Sequence, residues 1–181
     1  MRSVTFRTAS PWDSLPIAEL HTASWRAAYR PFLSATYLET DIVAERAQVW
    51  QERLAQPSAR QYVLLAEAAG ARVGFACVLL DAEPAWGACL DNLHVRPGLT
   101  SRGIGGELLV RAAQWVAHTE PGWPLHLWVT AANTAARRFY ERHGGALVEQ
   151  AAKRMPDGAQ PTVCRYLWRE PARLLGAPST G

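Results

Sequence analysis

No stretch of these 181 residues approaches the roughly 18 to 20 consecutive apolar residues that a membrane-spanning helix needs. The opening MRSVTFRTAS lacks the apolar run of a secretory signal, so a cytoplasmic protein with no membrane partner is expected. Cysteine is scarce. Cys77, Cys89 and Cys164 are odd in number, far apart, and form no CxxC or Cys/His pattern, so free buried thiols and no metal are expected. Lysine is scarcer still: of 19 basic residues only Lys153 is lysine, a bias that codon usage in a GC-rich genome would produce. The net charge of +3 is spread without a basic block, which argues against nucleic acid as the partner.

What is present reads as one globular domain. Hydrophobic residues make up 49% and charged residues 19%, and the length suffices for a sizeable core. Eight tryptophans are many for this length, and each buried indole N–H needs an acceptor.

Periodicity predicts strands over 3–8, 61–67, 72–80, 88–95, 124–130, 146–152 and 162–169. Ala69-Gly70-Ala71 reads as a hairpin turn and Pro156-Asp157-Gly158 as another. Helical spacing covers about 14–30, with Ile17, Leu20, His21, Ser24, Trp25 and Ala28 on one side, then about 41–55 and 103–118. Asn133 can cap a helix that runs to about 142, where Gly144-Gly145 stops it. The order is βααβββαβαββ. A strand–helix–strand crossover in its middle implies a parallel pair within a mixed sheet, hence an α/β fold. The domain is expected over 1–170, with 171–181 a loosely held tail.

The segment Leu93-His94-Val95-Arg96-Pro97-Gly98-Leu99-Thr100-Ser101-Arg102-Gly103-Ile104-Gly105-Gly106 is a strand, a short polar loop, then glycines opening an apolar-striped helix. Unpaired N–H groups and the helix dipole make such an end attractive to anions, and glycine admits close approach of a phosphate. A plain chain-reversing turn would look similar. Two other phosphate loops fit poorly, for the segment has no P-loop lysine, and Leu108 stands where GxGxxG needs its third glycine.

This segment resembles the GNAT acyltransferase superfamily, whose signature Q/R-x-x-G-x-G/A follows a strand reading roughly L-x-V-x-P. Thr100 replaces the usual Gln or Arg. A second run, Asn133-Thr134-Ala135-Ala136-Arg137-Arg138-Phe139-Tyr140-Glu141-Arg142-His143-Gly144-Gly145, is similar to the family's N-x-x-A-x-x-F-Y-x-x-x-G. The resemblance covers residues 72–169 most clearly.

The resemblance implies acetyl-CoA as acyl donor, held in a splay between the parallel strands 88–95 and 124–130. By analogy Leu93, His94 and Val95 would line the pantetheine arm, and the loop Thr100, Ser101, Arg102, Gly103, Ile104, Gly105 and Gly106 would hold the pyrophosphate. Asn133 would bond the pantetheine region, and Tyr140 would protonate the leaving thiolate while a strand N–H, that of Val95, stabilises the oxyanion. A simple aromatic packing pair is the competing reading of Phe139-Tyr140.

The implied reaction is direct attack by an amine of a small molecule or a protein. Freeing an amine of pKa about 10.4 at pH 7 costs roughly 4 to 5 kcal/mol. Where the family often has a strand Glu, this sequence has Cys89; Asp91, two residues on and on the same side of an ideal strand, is the substitute proton acceptor, with His94 and Glu83 as alternatives. Cys89 lacks an identifiable activating base. The acceptor region would draw on His21, Trp25, Arg26, Tyr29, Arg30 and Phe32, with Trp25 and Tyr29 one turn apart as candidate walls. A longer acyl donor, a catalytically silent CoA-binding module and a homodimer are further expectations.

Overall fold

The computed structural model describes residues 3–30, 34–56, 58–100, 102–155 and 158–176. Seven strands, β1 (Val4–Thr8), β2 (Gln61–Ala68), β3 (Ala71–Leu79), β4 (Ala88–Val95), β5 (Leu125–Thr130), β6 (Ala146–Ala152) and β7 (Thr162–Trp168), form one sheet in the order β1-β2-β3-β4-β5-β7-β6. Four α-helices, α1 (Ser14–Tyr29), α2 (Ile42–Ala55), α3 (Ile104–Thr119) and α4 (Thr134–Arg142), complete the expected βααβββαβαββ order.

Alternation along the strands builds two cores. Ala76, Val78, Leu90, Leu125 and Leu127 pack with the α3 residues Leu108, Leu109, Ala112 and Val116. On the opposite face Val63, Leu65, Phe75 and Cys77 meet Ile17 and Leu20 of α1 and Trp50 and Leu54 of α2. Three tryptophans find the acceptors their burial demands: Trp50 Nε1 donates to His21 Nδ1, Trp128 Nε1 to Glu83 Oε1, and Trp168 Nε1 to His143 O, at 3.0, 2.8 and 2.7 Å.

All pairings are antiparallel except β4 with β5, which run parallel. That parallel contact is short, joining only Ala88 to Leu125 and Cys89 to His126. Beyond Cys89 the strands part. This split in the sheet positions the site.

Three local features differ from the sequence reading. The α2 helix is entered through a π-helical turn, Tyr37–Asp41, whose Tyr37 and Leu38 are buried with Ile42. The chain past Pro171 is held: Pro171–Gly176 is a 3-10 turn with Pro171 and Leu174 buried against the α3 side of the core, so no loose tail starts at 171. The β2–β3 hairpin has a two-residue loop, Ala69-Gly70, with both residues at positive φ (52° and 77°). Of the expected Pro156-Asp157-Gly158 turn, Pro156 and Asp157 lie outside the described residues; Gly158 N–H donates to Met155 O at 3.0 Å.

Candidate functional site

The cleft opens where β4 and β5 diverge. Arg96 N–H donates to Val73 O of β3 at 2.8 Å. Alternation along an antiparallel strand therefore turns the N–H and C=O groups of Leu93 and Val95 the other way, into the split. One edge of the cleft is thus a length of strand backbone without a neighbouring strand.

At the mouth of that edge α3 begins. Gly103 caps it in the left-handed region (φ 77°), and a Cβ there would meet nothing within 4 Å. Its side-chain direction is open cleft. Glu107 N–H donates to Gly103 O at 3.0 Å, and among the described residues the helix N–H groups ahead of it have no acceptor one turn back. Gly106 is closely packed: a Cβ there would stand 3.0 Å from His143 Nε2. His143 is anchored by a 2.8 Å contact between its Nδ1 and Phe139 O. Thr100, Arg102, Gly103, Gly105 and Gly106 line the cleft, whereas Ile104 is buried in the α3 core and contributes backbone. Ser101 lies outside the described residues.

Asn133 lines the cleft and already has a structural job. Its Oδ1 accepts Ala136 N–H at 3.1 Å as the N-cap of α4. Its amide nitrogen is the part left to donate to a ligand. About two turns into α4, Tyr140 is buried at 8% exposure yet borders the cleft. Burial pushes its phenol well above the usual tyrosine range, and the nearby Tyr29 adds to this. The group stays protonated at neutral pH.

The opposite wall belongs to α1. Trp25 and Tyr29 both face the cleft, their rings 5.0 Å apart. Burial raises Tyr29 as well. His94, beside them, shares a 2.9 Å hydrogen bond with Ser24 through Nδ1, and burial pushes its imidazole down to about 4. Other residues expected at this wall sit elsewhere. His21 is buried beneath it, its ring centroid 4.6 Å from that of His94 and tilted by 36°. Arg26 donates to Leu38 O and, with Arg30, lines a separate small recess. Phe32 lies outside the described residues.

Asp91 lines the cleft, on the sheet side that strand alternation from Cys89 assigns. Cys77 pairs with Asn92 and Val78 with Leu90, so Asp91 is the extra residue of a bulge. Asp91 stays on the α2 side of the sheet with Cys77, while Ala88 and Leu90 face α3; Cys89 is buried and Asp91 exposed. Its Oδ2 receives Arg53 Nη1 at 2.6 Å and Asn92 Nδ2 at 2.5 Å. Glu83 is likewise engaged, by Trp128 and by Arg165 Nη2 at 2.7 Å. Burial pushes the Cys89 thiol up to about 12, so it is no nucleophile at neutral pH.

The far wall was not anticipated from sequence. Arg165 of β7, only 3% exposed, lies between the rings of Trp86 and Trp128, 4.1 Å from each. It donates to Glu83, to Glu149 (2.8 Å) and to His126 Nδ1 (3.2 Å). Burial, then the Arg165 charge, pushes His126 down to about 4. This cluster braces Trp128, which forms the wall together with Met155 and Lys153. Alternation places Trp128 with His126 and Thr130 on one sheet face; the arginine clamp depends on contacts among distant segments. Among the described residues no three His, Cys, Asp or Glu side chains form a group that could hold a metal ion, and no helix is long and apolar enough to cross a membrane.

A strand edge, a glycine-opened helix end and a phenol meeting across a β4–β5 split are the geometry of an acyltransferase fold. The chain belongs to the Acetyltransferase (GNAT) family, whose family model matches residues 17–145. It is 28% identical over 143 residues, 77% of this chain and 78% of the relative, to a Mycobacterium tuberculosis protein named "Probable N-acetyltransferase Rv2775". The fold is shared with PaiA N-acetyltransferase of Thermoplasma acidophilum, solved in complex with coenzyme A (TM-score 0.71, 20% identity, 90% of this chain and 98% of that one). It is shared too with YncA of Salmonella typhimurium, solved with its cofactor acetyl-CoA (TM-score 0.68, 17% identity, 92% and 94%).

Proposed function

We propose that this chain transfers the acetyl group of acetyl-CoA to a primary amine by direct attack, without a covalent enzyme intermediate. The observation that carries the reading is the cleft itself: a strand edge with Leu93 and Val95 turned into it, ending at a helix start where Gly103 leaves open space and N–H groups without acceptors. The residues present suit the donor. Arg102 to Gly106 offer N–H groups to a pyrophosphate, and Arg102, Arg138 and Arg142 on the same cleft supply positive charge. Replacing Gln or Arg by Thr100 removes a side chain, not the backbone donors. CoA or acetyl-CoA in the two solved relatives supports the same assignment.

Each chain residue then has a task. Leu93, His94 and Val95 provide the strand edge for the pantetheine arm, with the Val95 N–H aimed at the thioester oxygen. Asn133 donates through its side-chain amide. Tyr140, kept protonated by burial, supplies the proton to the departing sulfur. Trp25 and Tyr29 guide the acceptor.

Two of the candidate proton acceptors are poor matches for an ammonium: His94 is held near 4, and Glu83 is held below its usual range despite its burial, through Trp128 and Arg165. The amine therefore arrives neutral or sheds its first proton to water. The nitrogen becomes far more acidic as its lone pair enters the new C–N bond, and Asp91, exposed at the bulge, can take the second proton then.

The test is thiol release from acetyl-CoA across a panel of small amines and N-terminal or lysine peptides. Amine-dependent release by the wild-type chain supports the reading. CoA binding with no release on any amine would leave a binding module instead.

A further inference from the structure

The chain uses arginine wherever it needs a cation, with one exception, and the fold brings that exception to the acceptor side of the cleft. Lys153 follows β6, its N–H donating to Pro161 O at 3.2 Å, while its side chain is exposed. The ammonium lies over the Trp128 indole, 5.4 Å from the ring centroid. It lines the same cleft as Asn133 and Tyr140. Its charge reaches Cys89 and His126, the last residue pair before β4 and β5 part. The ammonium thus stands near the crotch of the split, on the face from which an acceptor amine would come.

An arginine here would bind an anion as well or better, since its planar fork pairs bidentately with carboxylate or phosphate. What arginine cannot do is shed a proton and act as a nucleophile. We propose that Lys153 is itself an acceptor, acetylated at Nζ within the same molecule by the acetyl-CoA in the cleft. This rests on the acetyl-transfer reading above. The Lys153 ammonium first gives one proton to water. Its Nζ lone pair then forms the C–N bond to the thioester carbonyl carbon as the C–S bond breaks. A second nitrogen-bound hydrogen leaves to Asp91 or solvent, and Tyr140 protonates the sulfur and is reprotonated from water. The products are Nζ-acetyl-Lys153, the CoA thiol and one proton, with no oxidant or reductant. The modification removes a cation and lays a neutral amide beside Trp128.

The experiment is intact-mass spectrometry of the purified chain incubated with acetyl-CoA and no amine, beside melting curves with CoA. The expected result is one acetyl group per chain, mapped to Lys153 by peptide fragmentation. Its rate constant is independent of protein concentration and is suppressed by excess CoA. Lys153→Arg should keep the CoA-induced melting shift and gain no acetyl group at this site. A wild-type chain that shifts with CoA yet gains no acetyl group, or gains it only at the N-terminal amine, would overturn the proposal while leaving the acetyl-CoA reading intact. So would acetylation indifferent to excess CoA, which is bulk chemistry, or a rate constant that rises with protein concentration, which is transfer between molecules. No melting shift and no acetyl group would sink both.

Discussion

Trp50 Nε1 of α2 donates to Nδ1 of His21 on α1 at 3.0 Å, and that single bond fixes His21 as a neutral imidazole. Burial, then His94, Arg46 and Arg53, push its pKa well down. His94 and His126 are held near 4, each mainly by burial. Three imidazoles therefore resist protonation in the fold but accept it near pH 6.5 in the unfolded chain. The unfolded state binds more protons, so stability is full above about 6.5 and falls as the pH drops toward 4, by up to about 1.4 kcal/mol per pH unit for each group. Below about 4 the Asp13 carboxylate, held down chiefly by Arg7, adds a further loss. Urea midpoints between pH 8 and pH 4 measure this; His126→Gln should flatten the slope.

Ala69 occupies a turn position at φ 52°, where an L side chain is strained, and Gly70 follows it in the same region. Ala69→Asn gives the hairpin the Asn-Gly pair such turns favour and should stabilise the fold by roughly 0.5 to 1 kcal/mol. Thermal melting without any ligand reads it.

Tyr140→Phe keeps the ring packing against Phe139 and Trp168 but removes the proton. Turnover should fall about 100-fold or more, with CoA affinity nearly unchanged. Paired kcat and binding measurements test the role; equal loss in both would mark Tyr140 as a packing residue.

Gly103→Ala costs about 1 to 2 kcal/mol of backbone strain and sends a methyl group into the open cleft. Gly98→Ala makes a matched control, since Gly98 shares the positive φ (84°) and the open Cβ direction but does not border the cleft. Both variants should melt lower without ligand, and only Gly103→Ala should also lose CoA affinity, read by calorimetry.

Much of this arrangement was legible in the sequence because it follows from local rules. Apolar runs bounded by turn residues mark β2 to β5, Asn133 announces the start of α4, and Gly103 sits where a positive φ favours glycine. What escaped is set by long-range register. The bulge at Asp91 exists only because β3 and β4 pair with one residue to spare, a register that no local rule announces. The Arg165 clamp joins residues from 83 to 165, and burying a guanidinium runs against composition-based expectation. Lys153 was conspicuous as the single lysine, but nothing local says that the stretch after β6 folds back over Trp128.

If the β4–β5 split and the Gly103 helix start form a CoA site, CoA must stabilise the fold, and melting temperatures with and without CoA decide it. Saturation at about 100 times the dissociation constant adds about 2.7 kcal/mol to the folded state, so a clear rise is predicted for CoA and acetyl-CoA, reduced in Gly103→Ala. An unchanged melting temperature at millimolar CoA would contradict the claim and reduce the glycine loop to a turn.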